Sequence, residues 1–336
     1  VETEIYLQTA QLLDLRAAAV LSVAQLAVVA LALWFGAAAR RGRERALKQT
    51  GSRRRAAYLL PAATWRSDWP SILVTAASAT LIGLPLGHLL YLSARVDGGV
   101  GIVHYLALAE PRLAGQPYSL LEAAGRSVQI ALLAGAIAVA LGLAVAVSLT
   151  GPARSRAGRW AREAFDGALM APLGVSAVTV GFGFLITLNR APLNLRTSFW
   201  LIPLAQALVA LPLVVRTALP PLRALDGRQR QAAAVLGARP WRVWTAVDAP
   251  VLRRAAAVAA AYAFAVSVGE FGATAFLVRP ETTTLPVAIY KLLARPGAGN
   301  LGAAAAAAVL LAAITVAAMA CVEASRSRDS TTGMEI

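Results

Sequence analysis

Long apolar blocks alternate along the chain with short polar segments rich in arginine. A helix of about 20 apolar residues is long enough to cross the ~30 Å hydrocarbon core of a bilayer. Seven blocks fit this length, at 17–39, 71–92, 127–149, 168–188, 198–219, 255–278 and 301–322. The pattern therefore predicts an all-α, polytopic membrane protein with about seven transmembrane helices.

Composition agrees with the block pattern. Of the 336 residues, 58% are hydrophobic and 15% are charged, whereas soluble domains carry about 25% charged residues. The net charge of +15 would indicate nucleic acid as the partner of a soluble protein. Here the basic residues lie between apolar blocks, so we expect them to meet anionic lipid headgroups and no nucleic acid.

The basic residues divide unequally between the two alternating sets of loops. One set holds 22 of the 32 Lys and Arg residues and the other holds eight. The richer set is 40–69, 150–164, 220–254 and the C-terminal tail; the poorer set is 94–126, 189–197 and 279–300. Since cytoplasmic loops carry the excess of Lys and Arg, we expect a multi-pass protein of the cell (inner or plasma) membrane, with residues 1–15 outside and the C-terminus in the cytoplasm.

Several chemistries are excluded by residue counts. Cys321 is the only cysteine, and His88 and His104 are the only histidines, which excludes an intrachain disulfide and a zinc cluster. Neither Lys48 nor Lys291 follows a glycine-rich loop, so the chain has no P-loop. We therefore expect no catalytic residues, metal or cofactor, with any ATP bound and hydrolysed on another polypeptide. His88 is predicted to pack within its span, and His104 to belong to an outer loop.

A short internal similarity bears on domain organisation. Glu4-Ile5-Tyr6 before the first span resembles Ala288-Ile289-Tyr290 before the last one. The first span is therefore predicted to close a preceding unit whose body is absent. The start at Val1 lacks a basic n-region and a cleavage pattern, which is typical of a fragment or an alternative start. The predicted division is 1–39, the end of the preceding unit; 40–69, a basic cytoplasmic linker; 70–325, a transmembrane domain; and 326–336, a cytoplasmic tail.

The polar segment 220–254 is predicted to form two short helices joined by a turn. Residues 232–236 favour helix, and Gly237 can adopt the left-handed conformation that ends one. Pro240 suits the first turn of the second helix, and Pro250 is predicted to close it.

This segment resembles the EAA loop of permease subunits in ABC importers, whose pattern is Glu-Ala-Ala, three residues, Gly, nine residues, then Ile-x-Leu-Pro. The residues that align with this pattern are Gln231, Ala232, Ala233, Leu236, Gly237, Val247, Ala249 and Pro250, and the spacing from Gly237 to Pro250 is kept. The chain departs from the pattern at Gln231 for Glu, Val247 for Ile and Ala249 for Leu. The resemblance implies a type I permease domain of six helices, with this loop docked in a groove of the ATPase.

Under that resemblance, the remaining side chains of the loop acquire roles. Leu236, Trp241 and Trp244 would anchor apolar contacts, and a set of arginines would meet acidic groups or phospholipid: Arg228, Arg230, Arg239 and Arg242. The alternative interpretation is an interfacial amphipathic helix that rests on the bilayer.

A second motif, Gly269-Glu270-Phe271-Gly272-Ala273-Thr274, lies late in the sixth predicted span. An uncompensated carboxylate there costs several kcal/mol, so Glu270 should face protein or water. Two interpretations stay open. Gly269, Glu270, Phe271 and Gly272 line the translocation path, or Glu270 makes a structural hydrogen bond to a neighbouring helix or subunit.

This motif resembles a Gly-acid-Phe-Gly stretch in permeases of iron(III), thiamine, molybdate and sulfate importers. Thr284-Leu285-Pro286 and Tyr290, with the two-unit organisation, favour the fused iron(III) or thiamine group, and the molybdate or sulfate type is the alternative. The resemblance implies a cytoplasmic ABC ATPase dimer, an extracytoplasmic binding protein and a second permease unit, fused upstream or separate. The rival classes are an ion-coupled secondary transporter and a scaffold protein. A secondary transporter would normally place several ionisable residues within its spans.

Three helix features complete the expectations. Gly83 and Gly87 form a GxxxG motif with weak predictive value because Pro85 interrupts it. Pro172 and Gly181-Phe182-Gly183 predict a kink or break in the fourth span. The alanine run 303–308 is predicted to be a close-packed helix face.

Overall fold

The computed structural model describes residues 65–96, 99–110, 115–150, 176–188, 198–225 and 227–332, together with 16–29 and scattered residues of 4–31, 155–167 and 195. Most of the predicted linker 40–69 lies outside the described residues, although a helix already begins at Trp65. The last helix continues to Thr332, inside the segment predicted as a tail.

Helices make up most of the described chain. In order they are α1 (Arg16–Val29), α2 (Trp65–Ala94), α3 (Val103–Leu106), α4 (Leu120–Thr150), α5 (Ala177–Thr187), α6 (Leu201–Arg223), α7 (Gly227–Val235), α8 (Pro240–Val243), α9 (Ala249–Val268), α10 (Thr274–Leu277), α11 (Leu285–Leu293) and α12 (Ala298–Thr332). A π-helical turn, Trp244–Asp248, joins α8 to α9. A two-stranded antiparallel hairpin, β1 (Arg95–Val96) and β2 (Gly99–Val100), follows α2.

Five helices in the described ranges are long and apolar enough to cross a membrane: Trp69–Ala94, Leu120–Thr150, Leu201–Arg223, Pro240–Val268 and Ala298–Ala324. They correspond to the predicted spans at 71–92, 127–149, 198–219, 255–278 and 301–322. The other two predicted spans are described only as the shorter helices α1 and α5, and the rest of each lies outside the described residues. The all-α, polytopic class is confirmed.

Small side chains bring the central helices together. α4, α6 and α9 pack on one another through buried alanines: Ala134, Ala138, Ala207, Ala210, Ala259 and Ala263. Gly142 of α4 lies so close to Val214 of α6 that an added Cβ would stand 2.5 Å from its Cγ1. Close approach through small residues is the usual basis of helix association in lipid, where apolar side chains gain little by leaving the bilayer.

The long helix α12 packs against α2, α9 and α11. Its residues 303–307 are buried, which confirms the predicted close-packed face. His104 of α3 also touches this helix, since a side chain on Gly302 would overlap its ring. His104 Nε2 lies 2.9 Å from the carbonyl oxygen of Arg95, so the ring ties α3 to the hairpin. His88 is exposed, with its ring 6.3 Å from that of Tyr91.

The N-terminal segment packs on α5. Ile5 and Ala18 are buried in one cluster with Val178 and Phe182. The segment predicted to close a preceding unit therefore contacts the transmembrane domain directly.

Two expectations about helix ends were wrong, one for the sixth predicted span and one for Pro250. The predicted span 255–278 is interrupted, because α9 stops at Val268 and residues 269–273 form a turn. Of the kink or break predicted for the fourth span, a break does not occur at Gly181-Phe182-Gly183, which lies inside α5, and the prediction at Pro172 lies outside the described residues. Gly181 allows a neighbouring backbone to approach the helix without ending it.

Pro250 does not close the second helix of the loop. The chain stays helical from α8 through the π turn into α9, and Pro250 occupies the first turn of α9. A proline ring clashes with the carbonyl four residues earlier in a regular α-helix. The wider π turn immediately before it gives the room that a regular helix lacks.

Gly83 and Gly87 make no close helix contact in the described part of the chain. A Cβ added at either position would meet nothing within 4 Å. The weak GxxxG signal is therefore not realised as a packing motif there.

Candidate functional site

The loop 220–254 is a helical hairpin whose two arms are α7 and α8 with the π turn. The prediction for Gly237 is confirmed, because its φ is +80°. The amide of Ala238 donates to the carbonyl of Ala233 (3.1 Å), and the amide of Gly237 donates to that of Ala234 (3.0 Å). This pair of bonds is the Schellman arrangement, which satisfies the last carbonyls of α7 and turns the chain sharply.

The turn exposes an unusual group of large apolar side chains. Val235 and Leu236 are each 87% exposed, Trp241 is 60% exposed and Trp244 is 48% exposed. These four residues, here named the apolar face, lie within ten positions of one another, and α7, α8 and the π turn contain no buried residue. Several large apolar side chains exposed within one short segment indicate a surface that binds a partner or a membrane.

An ion pair holds the two arms of the hairpin together. The Arg230 side chain on α7 donates from Nε to Asp248 Oδ1 at 2.9 Å, and its Nη2 donates to the same oxygen. Asp248 is the only acidic residue in 227–254. Acidic groups or phospholipid were the predicted partners of Arg230, and the structure pairs it with an acidic group of the loop itself. The single acidic residue of 227–254 was the feature of the sequence that could have indicated an ion pair within the loop.

The other predicted loop residues are distributed around this frame. Gln231, Ala232, Arg239 and Pro250 are exposed, and Ala233 and Val247 are half-buried. The guanidinium carbon of Arg242 lies 5.6 Å from the Trp241 ring centroid, a distance typical of a cation–π contact.

The second motif forms a polar turn, residues 269–274, in which Glu270 is buried and 7% exposed. Its carboxylate accepts from the amide of Ala273 (2.7 Å), the amide of Thr274 (3.0 Å) and the hydroxyl of Thr274 (2.6 Å). Glu270 therefore caps α10, which begins at Thr274. The predicted alternatives were a lining of the path or a structural hydrogen bond to a neighbouring helix or subunit; these three bonds stay within residues 270–274.

The polar turn is tied to α6 through a buried amide. Gln206 Nε2 donates to the Thr274 hydroxyl at 3.0 Å, while that hydroxyl donates to Glu270. This order follows from the chemistry, since an ionised carboxylate only accepts hydrogen bonds. Gln206, Thr274 and Glu270 form one chain of bonds between α6 and α10.

Two glycine motifs that the sequence presents separately meet at this turn. A Cβ on Gly181 would stand 2.5 Å from Ala273 Cα, and one on Gly272 would stand 2.9 Å from the backbone nitrogen of Val178. The backbones of α5 and the polar turn are therefore in contact. The residues lie some ninety positions apart, and no spacing rule connects them.

Unpaired polar groups lie around the same turn. Thr179 Oγ1, Gln206 Oε1 and Ser267 Oγ are buried and make no hydrogen bond in the described part of the chain. Phe271 lies beside Tyr290, with ring centroids 5.1 Å apart. Buried oxygens without partners are costly in an apolar setting, so this region retains unused capacity to bind water or a polar solute.

Within the described ranges, no group of three or more His, Cys, Asp or Glu residues could hold a metal ion.

No family model matches the chain. A protein of Salmonella typhimurium (strain LT2) described as a 2-aminoethylphosphonate transport system permease, PhnV, is 32% identical over 148 residues, or 44% of this chain and 55% of the relative. The chain thus spans about half the length of these PhnV relatives.

Molybdenum transport permeases match over a larger share of their length. ModB of Escherichia coli (strain K12) is 36% identical over 153 residues, covering 41% of this chain and 66% of the relative. ModB of Haemophilus influenzae is 32% identical over 153 residues, covering 41% of this chain and 67% of the relative.

Proposed function

Because the chain belongs to the permease family of ABC importers, we propose that it forms part of a translocation path and couples that path to a cytoplasmic ATPase dimer through the loop 220–254. The family consists of transport permeases and not of enzymes, so ATP is bound by the partner. An extracytoplasmic binding protein and a second permease unit, fused upstream or separate, complete the proposed assembly. The apolar face on the Schellman turn is the observation that carries the proposal.

The geometry supports a mechanical role for the loop. It joins α6 to α9, and these two helices pack along each other. The bonds from Gln206 to Thr274 to Glu270 connect α6 to the segment that follows α9. A partner that binds the apolar face more tightly in one nucleotide state would shift the equilibrium of both helices, and solute binding would shift nucleotide affinity in return.

The polar turn is the proposed path element. Gly269, Glu270, Phe271 and Gly272 follow the end of α9, beside the unpaired oxygens of Thr179 and Ser267. Polar groups in a membrane segment are expensive and usually face a cavity or a partner helix. That Glu270 itself touches the solute stays a prediction, because its carboxylate is occupied in capping α10.

For the cargo, we propose an oxyanion of the molybdate or phosphonate kind. The named relatives carry molybdenum and 2-aminoethylphosphonate in their descriptions, and molybdate was the alternative indicated by the Gly-acid-Phe-Gly resemblance. The iron(III) or thiamine prediction finds no support among them. Both proposed cargoes present negatively charged oxygens to their binding site.

We propose that the loop 220–254 and the C-terminus lie in the cytoplasm, as the charge distribution predicts. The two lysines test this directly, since Lys48 and Lys291 belong to opposite sets of loops. A membrane-impermeant amine reagent applied to intact cells should modify Lys291 and leave Lys48 unmodified until the membrane is opened. Modification of Lys48 first would invert the assignment.

The coupling role is tested by making the apolar face polar. Leu236→Glu should abolish co-purification of the ATPase subunit and ATP-driven molybdate uptake. The matched control is Leu293→Glu, at another exposed leucine, 55% exposed at the end of α11; it should retain ATPase binding. Equal ATPase capture by both variants would exclude the apolar face as the docking surface.

Two other outcomes would support the alternatives. If Leu236→Glu still captures the ATPase but binds lipid vesicles more weakly, the result would support the interfacial helix. Uptake driven by an ion gradient would support a secondary transporter.

A further inference from the structure

Two cations from different helices converge on one buried tyrosine. Tyr118 is 3% exposed and lies in the cluster formed by α4, α11 and α12. Arg126 Cζ of α4 and Lys291 Nζ of α11 lie 5.7 Å and 5.8 Å from the centroid of its ring. The three residues are here named the Tyr118 cluster.

Positive charge in this cluster is only partly neutralised. Arg126 pairs with Glu122 at 3.5 Å, and the Glu122 side chain is 58% exposed. Lys291 has no carboxylate at ion-pair distance among the described residues; its Nζ donates to Tyr118 Oη at 3.5 Å. Arg295 lies one helical turn after Lys291 in the sequence, and its Nη1 is 3.7 Å from the position of a Cβ on Gly115, three residues before Tyr118. The balance favours a negatively charged ligand.

The available hydrogen-bonding groups define the chemistry of that ligand. Arginine and lysine only donate, and a tyrosine hydroxyl that accepts from Lys291 keeps its own hydrogen to donate. Charge-assisted bonds from such groups are strongest to carboxylate and phosphate-like oxygens. Lys291 Nζ and Tyr118 Oη lie 3.5 Å apart, so both can donate to one anion, and the Arg126 guanidinium lies within 6 Å of the centroid of the same ring.

We propose that the Tyr118 cluster is an oxyanion-binding subsite in the set of loops poorer in basic residues. This inference rests on the proposed transport function for the identity of the anion, which is the cargo oxyanion. A phospholipid phosphate has the same chemistry, and the experiment separates these two sources.

The test uses the scarcity of lysine in the chain. The full chain, assembled with its ATPase in phosphatidylcholine nanodiscs, is treated with an amine reagent, and the modification rates of Lys291 and Lys48 are read by mass spectrometry. Molybdate at ten times its dissociation constant should slow modification of Lys291 about tenfold, because only the free fraction reacts. Lys48 should react at an unchanged rate and serves as the internal reference.

Variants separate an anion site from simple packing. Arg126→Gln should remove the protection of Lys291, and Arg126→Lys should restore part of it. The matched control is Arg95→Gln, since Arg95 Cζ also lies 5.7 Å from a tyrosine ring, that of Tyr91; this variant should keep full protection. Leu236→Glu, reconstituted alongside wild type with both prepared without the ATPase, should also keep it, so failure of ATPase coupling and failure of this proposal are distinguishable.

Each outcome decides between the explanations. Protection by phosphatidylglycerol nanodiscs, with no further effect of molybdate, would support the oxyanion site and assign it to lipid. No protection by molybdate or by phosphatidylglycerol would overturn the proposal and leave the cluster as cation–π packing. Equal slowing of Lys48 would also overturn it, because the anion would then act on the reagent.

Discussion

Replacing Gly181 with alanine tests the contact between α5 and the polar turn. The added Cβ would stand 2.5 Å from Ala273 Cα and 2.6 Å from its carbonyl oxygen, whereas ordinary contacts lie at 3.4–4 Å. The contact joins two backbones. Gly181 belongs to the helix α5, and the backbone of Ala273 is held by the hydrogen bonds to Glu270. Neither can yield as a flexible side chain would. Overpacking of this kind costs about 1–3 kcal/mol, and the absence of a soft neighbour places the expectation at the upper end.

Gly183 provides a matched control in the same helix. A Cβ there would meet nothing within 4 Å, and alanine in a helix interior is favoured over glycine by about 0.5–1 kcal/mol. The two substitutions are chemically identical, and the two positions lie on nearly opposite faces of α5. Gly181→Ala should therefore lower thermal stability while Gly183→Ala leaves it unchanged or raises it.

The assay is the fraction of purified protein that remains monodisperse in detergent after heating, read by size-exclusion chromatography. At a temperature that aggregates half of the wild type, Gly181→Ala should be mostly lost and Gly183→Ala mostly retained. Molybdate uptake should fall with Gly181→Ala, because the displaced turn carries Glu270 and Thr274. Equal heat resistance of the two variants would refute the backbone contact on which this reasoning depends.

Three further substitutions address the loop and the turn. Arg230→Asp should weaken ATPase binding by roughly fivefold, since a half-exposed ion pair contributes up to about 1 kcal/mol; the exchange Arg230→Asp with Asp248→Arg should recover most of that affinity in a pull-down titration. Gly237→Val should uncouple uptake and weaken ATPase association, because a side chain at φ +80° costs about 1–2 kcal/mol; normal pull-down and uptake would contradict the coupling assignment. Glu270→Gln should lower heat resistance and assembly together, since loss of an acceptor for buried donors costs about 1–3 kcal/mol; intact assembly with lost uptake would instead support a place in the path.

The class of the protein and the turn of the loop were predictable because both depend on local chemistry. Apolar blocks of membrane-spanning length require helices, since backbone groups in lipid must bond within their own segment. Gly237 and Pro240 impose backbone angles that hardly depend on their neighbours, so the end of α7 and the start of α8 followed from residue types alone.

The end of α9 at Val268 could not be predicted from the length of the apolar block. The apolar character continues through residues 269–278, so block length predicts one uninterrupted span there. The helix ends because the Glu270 carboxylate takes the amides of Ala273 and Thr274, and because Gly272 must approach α5. The two amides donate to the Glu270 carboxylate in place of the backbone carbonyls that a continued helix would offer.

Pairings between distant residues were decided only by tertiary structure. Gly181 meets Ala273, and Arg126 and Lys291 meet at Tyr118, although nothing in their spacing connects them. Alanine and valine recur on all five long helices in the described part of the chain, so many pairings would satisfy the same hydrophobic pattern. Local composition determines which segments enter the membrane, while the shapes of the packed helices determine which side chains touch, because van der Waals contact depends on fit and lipid is as apolar as the helices themselves.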